Sequence, residues 1–163
     1  MQPTIISKGK LFITGLTGDG SKTGELWGEF EHSYDNHPFN KADDNGYEIR
    51  FFNGEKPLPC GKDIHIGFLT RTADECCGFS TVTLPETESA VFDVFVANGY
   101  DSGNAAMDKW LADNAAQYGQ LLMDGMGFVI ECYNEKFKDG DKPDSIVEIW
   151  IPIYKHTKED KNA

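Results

Sequence analysis

Glu131 lies inside an otherwise apolar run, Phe128-Val129-Ile130-Glu131-Cys132-Tyr133-Asn134, of the kind that forms a strand. A carboxylate held there must be neutralised, hydrogen-bonded or matched by a cation, because an ionised acid is costly to bury alone. Tyr133, two residues on, shares its strand face. Glu148 and Trp150 show the same two-residue spacing in a later strand, Val147-Glu148-Ile149-Trp150-Ile151-Pro152-Ile153. Carboxylates set among large aromatic rings suit a lipophilic, delocalised cation. Glu131 would match its charge, Tyr133 and Trp150 would stack on it, and Phe52 would complete the wall. Arg50 is a rival partner for Glu131, since a resident guanidinium competes with a ligand. His65, opposite Glu148, invites acid–base chemistry. No nucleophile elbow, phosphate cradle or metal-ligand spacing accompanies these residues. Gly15-x-x-Gly18-x-Gly20 reads as a turn, and Cys60, Cys76, Cys77, Cys132 and the four histidines are scattered, so neither metal nor cofactor is expected.

The elements that must position these groups repeat along the chain. Tyr47-Glu48-Ile49-Arg50-Phe51-Phe52-Asn53 lies against Phe128 to Asn134 residue for residue, and Ile64 to Thr70 lies against Val147 to Ile153. Two similar units, about 1–72 and 79–155, are therefore expected around a pseudo-two-fold axis. Together they make one domain over 1–155, followed by a polar, flexible tail at 156–163. Each unit reads strand–helix–strand–strand. In the first, a strand covers Ile5 to Thr14, a Gly-rich loop Gly15 to Gly24 and a helix Glu25 to Tyr34; the two repeat strands follow, joined through Gly54 to Lys62. Arg71 to Gly78 crosses over. The second unit has strands at Ser80 to Leu84 and Ser89 to Val96, a helix over Asn104 to Tyr118, and a loop, Glu135 to Asp144, between its last two strands.

The fold class expected is α+β: an antiparallel sheet with helices on one face and a ligand cleft on the other. Alternation places Ile49, Ile66, Ile130 and Ile149 beneath the helices. Glu48, Arg50, Phe52, His65, Gly67 and Leu69 would then look across the cleft at Glu131, Tyr133, Glu148 and Trp150. Gly67 stands where the repeat has Trp150 and would leave room for a ligand. Trp27 and Trp110 read as structural, and Tyr100 as a candidate lid.

Composition narrows the partners. The 163 residues carry 27 acidic against 15 basic side chains, a net charge of −12. Such a balance argues against sequence-independent nucleic-acid binding, which needs basic groups on phosphates, and it concentrates cations. The first ten residues have no basic segment followed by an apolar core, and no apolar run reaches membrane-spanning length. With free thiols, this leads to the expectation of a reducing cytoplasm and no membrane contact.

The tandem units, the Glu131-x-Tyr133 strand and the closing Glu148-Ile149-Trp150-Ile151-Pro152-Ile153 resemble the GyrI-like small-molecule-binding proteins, the effector-binding domains of AraC-type and multidrug-sensing regulators. The resemblance covers nearly the whole chain. It implies that the position of Glu131 meets lipophilic organic cations, with neighbouring aromatics stacking on them. It also implies a stand-alone member, without the helix-turn-helix of the regulators and so without direct DNA contact, acting as a sensor or sequestering protein. Two alternatives stand beside it, the first from the same resemblance and the second from an acidic surface that would mimic nucleic acid. One is hydrolysis of reactive cyclopropane-type genotoxins, with Glu131 as base and Tyr133 or His65 as acid. The other is inhibition of a protein partner such as a topoisomerase.

Overall fold

The structure, a computed structural model, describes residues 1–52, 62–73, 77–139 and 142–157. Most of the Gly54-to-Lys62 connector, the middle of the crossover and the tail beyond Thr157 lie outside the described residues. The chain forms β1 (Thr4–Lys8), β2 (Leu11–Gly18), α1 (Thr23–Asn36), β3 (Gly46–Phe52) and β4 (Ile64–Thr70). The second unit follows with β5 (Ser80–Leu84), β6 (Thr87–Phe95), α2 (Tyr100–Asp113), β7 (Tyr118–Gln120), β8 (Leu122–Met123), β9 (Met126–Tyr133) and β10 (Ile146–Lys155). This is the expected α+β class.

α1 forms because Leu26 and Phe30 recur at four-residue spacing on a buried stripe, with Trp27 and Tyr34 beside it. It ends at His37, whose N–H donates to the Ser33 carbonyl at 2.9 Å, just before Pro38. α2 begins one turn earlier than its hydrophobic pattern suggested. Gly99, at φ 74°, makes the left-handed turn that admits the helix at Tyr100. Gly103, Met107 and Trp110 then face inward, where Gly103 lets the helix approach Val94 of β6.

The strands run in the order β1-β6-β10-β9-β3-β4-β2-β5, with β7 added to β10 and β8 to β9, and all of these pairings are antiparallel. β3 and β9, the repeat partners, meet at the centre, where Ile49 lies opposite Ile130 and marks the pseudo-axis. The edges are exchanged: β1 of the first unit pairs with β6 of the second, and β5 of the second pairs with β2 of the first. The single strand expected over Ile5 to Thr14 is therefore two strands serving different halves. β2 also extends through Gly15 to Gly18, part of the expected loop. Gly15 and Gly67 sit opposite each other there. A Cβ on Gly15 would come 1.8 Å from the Ile66 oxygen, and one on Gly67 2.0 Å from the Thr14 oxygen. Gly67 thus allows two backbones to meet; it does not open space for a ligand.

Both faces of the sheet are buried. On one, α1 covers Ile64 and Ile66, while α2 covers Val147, Ile149 and Ile151. On the other, Ile13 and Leu84 from one end of the strand order join Tyr47, Ile49, Ile130 and Trp150 from the middle and Val91 from the far side. Side chains so far apart in strand order meet only if the sheet curls, and the sheet is a curled half-barrel.

The pairing of β9 with β10 corrects the expected faces. Glu131 lies opposite Ile149, and Trp150 opposite Ile130. Opposed residues in an antiparallel pair point to the same side. Ile66 and Ile149 do lie beneath the helices, but Ile49 and Ile130 face away from them. A row across the helix-bearing face runs Leu16, Ile66, Glu48, Glu131, Ile149, Phe92. Two glutamates stand side by side in an otherwise apolar row.

Candidate functional site

Glu131 belongs to β9 and Glu48 to β3, and the two are directly opposed on adjacent strands. They are 6% and 3% exposed. One guanidinium serves both: Arg50 Nε donates to Glu131 Oε2 at 2.5 Å, and its Nη2 donates to Glu48 Oε2 at 3.0 Å. Trp27 of α1 donates its indole N–H to Glu48 Oε1 at 2.8 Å, and Arg50 Nη2 also reaches the Thr23 hydroxyl at 3.4 Å. Trp27 therefore packs in the α1 aromatic cluster and also holds an acid in place. Burial raises the Glu131 pKa, the Glu48 charge raises it further, and Arg50 only partly restores it; the result is about 7.

A cavity of about 610 Å³ opens beside this cluster, within the roughly 300–1,000 Å³ of pockets for drug-sized ligands. Its floor is Arg50 and Phe52 of β3, Val129, Glu131 and Tyr133 of β9, and Ile149 and Ile151 of β10. α2 supplies the opposite wall through Tyr100, Asn104, Met107, Asp108 and Leu111, while Asp63 contributes from just before β4. The cleft thus lies on the helix-bearing side of the sheet. Burial, followed by the Glu131 and Glu48 charges, raises the Tyr133 phenol far above its ordinary range, so it remains a hydrogen-bond donor. Phe52 lies across Gly127 of β9, where a Cβ would come 2.7 Å from its ring. The missing side chain gives the ring its place on the floor.

Of the residues singled out in the sequence, Glu131, Tyr133, Arg50 and Phe52 line this cavity. Trp150, Glu148 and His65 do not, because β4 and β10 turn them to the other face. Trp150 packs edge-on against Tyr47 at 5.8 Å between centroids and carries the Lys8 ammonium 4.0 Å above its ring. The cation–π contact expected of Trp150 is thus made with the chain's own lysine. Glu148 accepts from Lys136 at 2.9 Å and from the Trp150 indole at 3.0 Å. His65 is fully buried. Its Nε2 lies 2.8 Å from the Ile13 carbonyl and must donate, so Nδ1 accepts from the Thr17 hydroxyl at 2.8 Å. Burial lowers its pKa to about 4 and it stays neutral, as a structural residue.

Sequence reasoning left α2 out of the cavity apart from Tyr100. The signal was present: Tyr100, Asn104, Asp108 and Leu111 fall at helical spacing on one stripe. The partnership of Glu48 with Glu131 was also missed, since it follows only from the β3–β9 register. Among the described residues no group of three or more His, Cys, Asp or Glu side chains could hold a metal ion. No helix there is long and apolar enough to cross a membrane.

A curled antiparallel sheet with two helices, built from tandem units, is the GyrI-like fold, and this chain has it. Among solved structures it is similar to SAV2435 bound to tetraphenylphosphonium, with a TM-score of 0.59, 14% identity and 94% of each chain covered. It is also similar to EcmrR in a complex with DNA, with a TM-score of 0.62 and 15% identity over 95% of this chain, which spans 58% of that protein. An integron cassette protein of Vibrio cholerae, VCH_CASS2, matches with a TM-score of 0.51 and 14% identity, covering 94% of this chain and 97% of the other. No protein-family model matches the sequence, and no curated protein matches it.

Proposed function

We propose that the protein binds lipophilic, aromatic organic cations in the cavity under α2, with Glu131 as the charge anchor, as a cytoplasmic sensor or sequestering module. The observation that carries this is the pair of buried carboxylates sharing one guanidinium, of which Glu131 and Arg50 lie at the floor of an aromatic-walled cavity. Tyr133, Tyr100 and Phe52 offer ring faces, each worth roughly 0.5–2 kcal/mol to a cation according to its desolvation. Met107, Leu111, Val129 and Ile151 supply apolar surface for the rest of such a ligand. That SAV2435, of the same fold, is known with tetraphenylphosphonium supports this ligand class.

Tetraphenylphosphonium is therefore the probe for calorimetric titration against Glu131→Gln, which keeps the shape and removes the charge. Affinity is expected to fall at least about tenfold, roughly 1.4 kcal/mol. Glu148→Gln, on the other face of the sheet, is expected to leave it unchanged. An unaltered affinity in a folded Glu131→Gln would give the cavity a different anchor.

A near-neutral pKa at Glu131 also favours a hydrolase reading, with Glu131 as general base on water. His65 faces the other side of the sheet and is excluded as its acid, leaving Tyr133. Incubation with a reactive cyclopropane-bearing compound separates the readings: the hydrolase releases product, whereas the binding protein returns the compound intact.

A further inference from the structure

We infer that Glu48, a residue outside the cavity wall, sets the charge class of the ligand: it commits Arg50, so that the Glu48–Arg50–Glu131 cluster lacks one positive charge and takes a monocation in exchange for a proton. The inference rests on the binding role proposed above. Both Glu48 oxygens are engaged, Oε1 by Trp27 and Oε2 by Arg50. Glu131 has the same guanidinium through Nε and is the acid that lines the cavity. Two carboxylates against one guanidinium leave one negative charge, and it is exposed only on the Glu131 side. When the cavity is empty a proton can meet that deficit, and burial first, then the Glu48 charge and a hydrogen bond to Glu48, favour protonated Glu131. A cation over the floor meets the same deficit and expels the proton.

The other groups around Glu131 bring no second cation to the cavity. β9 adds Tyr133 and β10 adds Ile149 opposite Glu131, while α1 adds the uncharged Thr23 and Trp27 through the cluster. Tyr100 and Asp108 of α2 and Asp63 before β4 line the same cavity, and the two aspartates add negative charge rather than a second cation.

The experiment titrates tetraphenylphosphonium, whose charge is permanent, into the full chain and into Glu48→Gln at pH 6 and pH 8. The unaltered protein is expected to bind roughly tenfold more tightly at pH 8. At pH 7 it should release a fraction of a proton, read from binding heats in two buffers of different ionisation enthalpy. In Glu48→Gln, Arg50 neutralises Glu131 alone. The variant is expected to bind about tenfold more weakly than the unaltered chain at pH 8 and to lose the pH dependence. If a folded Glu48→Gln keeps both affinity and pH dependence while Glu131→Gln weakens, the cavity reads Glu131 alone; this inference falls and the binding proposal stands. Proton release by the unaltered chain needs no variant to fold, and its absence overturns the inference too. If the unaltered protein does not bind the probe, both fall.

Discussion

Glu131 and His65 are both buried and neither titrates at its ordinary value, but they pull stability in opposite directions with pH. Burial lowers His65 from 6.5 to about 4, so the unfolded chain takes its proton more readily. Its contribution is present above about 6.5 and is lost as pH falls toward 4. Glu131 is raised from 4.5 to about 7, chiefly by burial and then by the Glu48 charge. The folded state binds that proton better, so its contribution is complete below 4.5 and is lost as pH rises through 7. An amide at position 131 has no such cost. Glu131→Gln is therefore expected to melt higher than the unaltered protein at pH 8, with the gap shrinking toward pH 5, as followed by thermal unfolding without ligand. A gap independent of pH would mean that Glu131 is ionised throughout. A buried acid that weakens the empty fold at neutral pH is intelligible if a cation compensates on binding. Glu131 itself was legible in the sequence, because a carboxylate between Ile130 and Cys132 breaks an apolar pattern. Glu48 was not, because its importance comes from a neighbour 83 residues away that only strand pairing brings alongside.

The elements show where sequence pattern stops being informative. The repeat and the helix and strand types follow from periodicity, and most boundaries lie within a turn of the expected ones. The relative faces of β9 and β10 do not follow. That reading assumed a sheet with one apolar side, for which Ile149 and Ile130 must agree. Here the helices bury one side and the curl of the sheet buries the other, so β10 turns Val147, Ile149 and Ile151 to the helices while β9 turns Phe128, Ile130 and Cys132 to the curl. A single-residue change in partner then moved Trp150 and Glu148 to the opposite face from Glu131. The glycines of β2 and β4 were misread for a related reason. Gly15 reads as a loop residue and Gly67 as room for a ligand, yet the two are where two backbones press together. Gly15→Ala is expected to cost about 3 kcal/mol by urea denaturation, since the clash is with backbone that cannot rotate away. Gly24→Ala, in α1 with open space around its Cβ position, is expected to be neutral or slightly stabilising. Equal effects would remove the close approach as the reason for glycine at position 15.

Across the whole molecule, the exchanged edges bind the two units more tightly than the repeat alone would suggest. β1 completes the second unit and β5 the first, so a half cut at the crossover loses an edge partner on each side. Residues 1–78 and 79–163 are each expected to stay largely unfolded alone and to regain strand signal in circular dichroism when mixed. A cooperative melt by either half alone would contradict this. The pseudo-axis through Ile49 and Ile130 has a further consequence. It relates Arg50 to Glu131 and Glu48 to Val129, so equivalent positions in the two halves hold opposite charges or none. A perfectly two-fold floor would offer a guest two identical seats and no preferred heading. This one has polarity, from guanidinium to carboxylate, and α2 closes over it on the second unit's side. On the proposed binding role, one guest per chain is expected, lying in a single sense. A molecule that is symmetrical in solution becomes handed when bound, and chemically identical rings within it would acquire distinct magnetic environments.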